Sequence, residues 1–241
     1  MEIVEIKKPR IEGATLIEGF PGIGLVGTIA TSYLVEKISM EQIGYIYSEE
    51  FPAISAIHNH IPLHPARIYE CDKLKFYVLF SEFIVPMSQI YPLAREILKW
   101  ALTNKVKQII SLGGIVMKGE QDEVYGISST PEVRKMLEKH GVKSIKEGAT
   151  TGVSGVLLAE CATRGFPAFS LLAESRPEYL DPRAAAMVLD ILKRMLDFEI
   201  DTSELVHESE AIEAKLKELL EGAKKAHNHY QQVDKIGTMY G

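Results

Sequence analysis

The stretch Gly19-Phe20-Pro21-Gly22-Ile23-Gly24-Leu25-Val26-Gly27 constrains this chain more than any other. Four of its nine residues are glycine, so the backbone can reach positive φ and approach another group closely. It follows the apolar run Ala14–Ile17 and opens into a helical pattern from Thr28 to Lys37. Such a strand–turn–helix unit opens many α/β folds, and its helix N-terminus offers unpaired N–H groups to phosphate. Gly22-x-Gly24-x-x-Gly27 also has the dinucleotide-fingerprint spacing, and Glu49 and Glu50 stand where a ribose-binding acid would be expected. Phe20 and Pro21 intervene between the strand and Gly22, however, and no P-loop Lys-Ser/Thr follows Gly27. The preferred reading is a tight turn with close helix–strand packing. A nucleotide- or phosphate-binding enzyme using Gly22–Gly27 is the alternative.

Down the chain, strand-like and helical segments alternate. Ala14–Glu18, Ile43–Tyr47, Ala53–Ile57, Ala66–Tyr69, Lys75–Ser81, Gln108–Leu112, Val142–Lys146 and Ala168–Leu172 read as strands. Lys75–Ser81 is too uniformly apolar for a one-sided strand and is expected at the sheet centre, buried on both faces. Met87–Leu102 carries an apolar stripe at helical spacing, and Thr130-Pro131 supplies a cap and a first-turn proline to a helix stopping at Gly141. Gly152–Arg164 and Pro182–Leu196 are the remaining helices of the domain, residues 1–200. This order predicts an α/β three-layer sandwich with a mixed sheet, mostly parallel at its centre. The three helix-free strands within Ile54–Ser81 predict an antiparallel portion.

The formal net charge is −6 and no long Lys/Arg cluster is present, which argues against nucleic acid and anionic membranes as partners. No apolar run approaches the length of a membrane span. Met1–Glu5 has no basic region followed by an apolar one, so no secretory leader is expected. Cys71 and Cys161 are the only cysteines, consistent with a reducing compartment. A soluble cytoplasmic protein is the expectation.

Two candidate chemistries are weak. Gly152-Val153-Ser154-Gly155 resembles a nucleophile elbow, but its second glycine is one position early, so Ser154 reads as a helix-entrance serine. His58, His60 and His64 could place two imidazoles on one strand face, yet no second ligand cluster accompanies them. Neither a metal nor a cofactor is expected.

From Asp201 the character changes. Leu205, Ser209, Ile212, Leu216, Leu219, Ala223, Ala226, Tyr230 and Val233 recur at alternating four- and three-residue steps, predicting a long amphipathic helix over 201–232. Its seam suits either its own domain or the same helix of a neighbouring subunit. Residues 233–241 are a short polar tail with Met239, Tyr240 and Gly241 at its end.

Together, Gly19–Gly27, Gly113-Gly114, Gly152-Val153-Ser154-Gly155, Gly165-Phe166-Pro167-Ala168 and Asp181-Pro182-Arg183-Ala184-Ala185 resemble the proteasome assembly chaperone family, specifically the type-two chaperones and their archaeal homologues. The resemblance runs from about Ala14 to Leu196. It implies a phosphorylase/hydrolase-like sandwich without the active-site chemistry of those enzymes, and no enzymatic activity. It also implies the proteasome α-subunits as partners, and assembly as a homo-oligomer or with a paralogue. Several such proteins end in a hydrophobic–Tyr–any-residue motif that inserts between α subunits, and Met239, Tyr240 and Gly241 match it in order. In that reading the glycine-rich turn, with Gly19, Phe20, Pro21, Gly22, Gly24 and Gly27, is structural; besides the nucleotide- or phosphate-binding enzyme, an oligomeric scaffold with the tail sequestered is a further alternative.

Overall fold

A computed structural model of the chain describes residues 1–117, 123–175, 180–207 and 221. In chain order the elements are β1 (Glu2–Glu5), β2 (Thr15–Gly19), a 3-10 turn (Ile23–Leu25), α1 (Val26–Ile38), β3 (Glu41–Tyr47), β4 (Ala56–His58), β5 (Ile61–Leu63), β6 (Ala66–Cys71) and β7 (Phe76–Ser81). A second 3-10 turn (Met87–Gln89) leads into α2 (Ile90–Thr103), β8 (Gln108–Ile115), β9 (Val124–Ser128) and α3 (Pro131–Lys139). Then come β10 (Lys143–Ser144), α4 (Gly152–Thr163), β11 (Ala168–Glu174), α5 (Pro182–Leu196) and α6 (Ser203–His207).

Among the described residues, nine strands form one sheet in the order β1-β3-β6-β7-β2-β8-β11-β9-β10. The central four, β7, β2, β8 and β11, pair in parallel. β1, β3 and β6 extend the β7 side by antiparallel pairing, and β9 adds antiparallel to β11. Period-two alternation sends neighbouring side chains to opposite faces. Ile17, Val78, Ile110 and Leu171 therefore pack with α1, α3 and α5. Leu16, Leu79 and Ile109 face the other way, toward α2 and α4. The result is a three-layer α/β/α sandwich. β7 is buried along its whole length, as a central strand covered on both faces must be.

The helix starts follow their local chemistry. The Thr130 hydroxyl accepts from the Val133 N–H at 3.3 Å, and Asp181 Oδ1 accepts from the Ala184 N–H at 2.9 Å, each with proline in the first turn.

Three strands escape the sequence expectation. β1 is a short, charged edge strand; β5 has three residues and a proline; β9 contains a glycine and lies near the sheet edge. Residues 53–55 are not part of β4, which lies outside the main sheet and pairs only with β5 as a hairpin. Asn59 and His60 both have positive φ and form its turn, so His58 and His60 do not share a strand face. That corrects the imidazole placement considered from sequence.

At the far end, α6 packs against the α1/α5 layer, with Leu205 fully buried in that core. The Tyr33 hydroxyl donates to the Asp201 carbonyl at 2.6 Å, and Lys37 pairs with Glu204. The remaining seam residues, Ser209, Ile212, Leu216, Leu219, Ala223, Ala226, Tyr230 and Val233, lie outside the described residues, as does Met239–Gly241. Among the described residues, no helix is long and apolar enough to cross a membrane.

Candidate functional site at the strand-end rim

Parallel pairing brings the C-terminal ends of β2, β7, β8 and β11 to one rim of the sheet, where ligands enter many open α/β folds. The glycine turn occupies the middle of that rim. A Cβ on Gly19 would lie 2.2 Å from the Gly27 carbonyl oxygen, and one on Gly27 would lie 2.2 Å from the Leu112 carbonyl oxygen. Only hydrogen fits at either position, so β2, α1 and β8 touch backbone to backbone.

Gly24 combines φ of +62° with a neighbour that fills its open side. A Cβ there would stand 2.1 Å from Ser175 Oγ and 3.1 Å from Asp181 Cβ. The Asp181 N–H donates to the Gly24 carbonyl at 2.9 Å, and Ser175 Oγ donates to Asp181 Oδ2 at 2.9 Å. The space a phosphate would take beside Gly24 thus holds a serine and a carboxylate of the same chain. Phe20 turns into the α2/α4 core and is buried there.

Below the turn, Glu18 is completely buried, facing α4. Ser154 Oγ donates to Glu18 Oε2 at 3.0 Å, whereas Oε1 has no hydrogen-bond partner among the described residues. Ser111 is its register partner on β8. Burial pushes the Glu18 carboxyl up to about 7, against the pull of the Ser111 and Ser154 hydroxyls toward the charged form. Cys161, buried on the same helix as Ser154, is pushed up to about 12 by burial first and by Glu18 second. Such a thiol is inert. Ser154 serves a buried carboxyl, and no imidazole is among the partners shown for either group.

On the β7 side of the rim, Glu82 forms ion pairs with Arg67 Nη2 and His58 Nε2, both at 2.9 Å. Burial alone would raise the Glu82 carboxyl, but the His58 hydrogen bond and the Arg67 charge together hold it below its usual range. Arg67 is itself buried; Nε donates to the Tyr69 hydroxyl at 2.8 Å and Nη1 to the His64 carbonyl at 2.7 Å. His64 stacks on Tyr45 at 3.8 Å. The histidines thus anchor the β4–β5 hairpin to the sheet. Among the described residues, no cluster of His, Cys, Asp and Glu has metal-ligand geometry.

Sequence reasoning missed Glu18 and the Arg67–Glu82 pair. The available signal was a charged residue next to, or within, strands otherwise apolar on both faces.

Comparison with known proteins agrees with this architecture. A protein of Methanocaldococcus jannaschii, itself uncharacterized, is 36% identical over 221 residues, covering 92% of this chain and 91% of its own length. The crystal structure of Pyrococcus furiosus PbaA, an archaeal homolog of proteasome-assembly chaperone, superposes with a TM-score of 0.84 at 34% identity, covering 93% of this chain and 99% of that one. Pyrococcus furiosus PbaB, an archaeal proteasome activator, gives a TM-score of 0.74 at 26% identity over 90% of this chain and 97% of its own. The PAC2 family model matches residues 16–220, from the strand before the glycine turn into the C-terminal region. The chain belongs to the PAC2 family, the family of the archaeal proteasome-assembly chaperone homologues.

Proposed function

We infer that the protein is a non-enzymatic assembly or activator-like factor that docks on the α-subunit ring of the proteasome through Met239, Tyr240 and Gly241. The observation that carries this reading is its likeness to PbaA along nearly the whole of both chains, joined to a hydrophobic–Tyr–Gly triplet in the sequence. PbaB, described as a proteasome activator, extends that likeness to a second proteasome-linked protein. The filled space beside Gly24 favours a packing role for the glycine turn over the nucleotide-binding alternative.

The physical logic is that of a short multivalent anchor. The methionine offers an apolar contact, and the tyrosine a ring and a hydroxyl. Three residues bury little area, so one tail binds weakly. Several tails on one oligomer raise the apparent affinity by roughly 10²–10⁴ where they engage together. The apolar seam Ile212, Leu216, Leu219, Ala223, Ala226 and Tyr230, continuing from Leu205, is the proposed means of bringing copies together, with itself or a paralogue. Co-sedimentation with purified α rings tests the reading: the full chain pellets with them and a chain lacking Met239–Gly241 stays in the supernatant. Equal pelleting of both would refute it.

A further inference from the structure

Five of the eleven large hydrophobic side chains exposed among the described residues stand on segments that meet at one corner of the strand-end rim. They are Tyr47, Ile61, Ile84, Met87 and Tyr91, with Met87 87%, Ile84 69% and Ile61 59% exposed, whereas Ile57 lies on the opposite face of the hairpin. Contacts beneath them tie the three segments that carry them into one surface. Ser48 Oγ donates to Gln89 Oε1 at 3.0 Å, Phe51 meets Phe83 edge-on, and the Glu82 N–H donates to the Pro65 carbonyl at 2.8 Å. His58 joins the hairpin to Glu82. Ile84 is held out between buried Phe83 and Val85, so the backbone that presents it is fixed.

Contiguous exposed apolar side chains on a rigid base mark an interaction surface. Its charge says what fits. Between Met40 and Ala66, and between Phe76 and Ala94, the sequence has no lysine or arginine at all. Glu49 and Glu50 stand exposed beside the patch, while Arg67 is buried and neutralised by Glu82. The complement is an apolar surface flanked by positive charge.

We propose that the face formed by the β4–β5 hairpin and the turn before α2 is a docking surface for a protein segment whose apolar side chains are flanked by lysine or arginine. This inference is independent of the Met239–Gly241 anchor. The test uses the full chain with labelled isoleucine methyl groups and two short synthetic peptides, one alternating leucine with lysine and the other leucine with glutamate. The lysine peptide is expected to shift the methyl resonances of Ile61 and Ile84 saturably, and its affinity to fall at least about tenfold at high salt. A second fall of about tenfold is expected in the double variant Ile84→Ser, Met87→Ser, whose exposed positions leave the fold intact. Equal affinity for the glutamate peptide, shifts confined to other isoleucines, or an unchanged affinity in the double variant would overturn the proposal. So would a smaller oligomer for the double variant in sedimentation, since the occupant would then be a second copy of this chain.

Discussion

Replacing Glu18 by glutamine should stabilise the protein at alkaline pH and leave it nearly unchanged at acid pH. In the fold the carboxyl is raised to about 7, from an ordinary value of 4.5. A group raised on folding binds its proton more tightly in the native state. Its contribution is therefore fully present below about pH 4.5 and is lost as pH rises through about 7. That interval corresponds to roughly 3 kcal/mol. Glutamine is never charged, can still accept from Ser154, and offers its amide to the region of Ser111. Urea unfolding of both proteins from about pH 5 to 9 gives the stability difference at each pH, and every other titrating group cancels in it. The difference should grow in favour of Glu18→Gln by up to about 3 kcal/mol between pH 5 and 8, then level off. For a chain of this size each kcal/mol is also worth about 2–4 °C in Tm. A difference that stays flat, or shrinks as pH rises, would refute a carboxyl buried with hydroxyl partners alone.

Three further outcomes follow from the rim. Gly27→Ala drives a methyl group into the Leu112 carbonyl and should cost about 3 kcal/mol, whereas Gly148→Ala, whose methyl would meet only Ile145 Cγ2 at 3.8 Å, should be near neutral by the same urea titration. Arg67→Met leaves the buried Glu82 with His58 alone and should cost about 1–3 kcal/mol, part of it recovered in the double variant Arg67→Met, Glu82→Leu; thermal unfolding of the set reads this directly. A thermal-shift screen with NAD, ATP and nucleosides should give no stabilisation, where a ligand at 100 times its Kd would add about 2.7 kcal/mol.

Much of the architecture was legible because the buried strands are short apolar runs set between helices with clear starts and stops. Lys75–Ser81 announced its central place through uniform hydrophobicity, and Thr130-Pro131 and Asp181-Pro182 announced their helices through capping chemistry. β1, β5 and β9 were silent because edge and hairpin strands need little apolar surface, and three or four residues give periodicity too little length to register. The glycine turn was visible as a turn, but its spelling could not say what fills it. Ser175 and Asp181, some 150 residues onward, settle that by tertiary packing. The same holds for Glu18, whose partner Ser154 lies 136 residues away. Long-range polar pairing leaves no local periodic trace. The anchor triplet is the reverse case: wholly sequence-borne, with Met239–Gly241 outside the described residues.

The most direct measurement of the central claim is the equilibrium affinity of immobilised proteasome α rings for the full chain and for Tyr240→Ala. Loss of the ring and its hydroxyl from every tail at once should abolish multivalent capture, lowering apparent affinity by roughly 10² or more while far-UV circular dichroism and oligomer mass stay unchanged. Binding of Tyr240→Ala as tight as that of the wild type would contradict α-ring docking through Met239–Gly241.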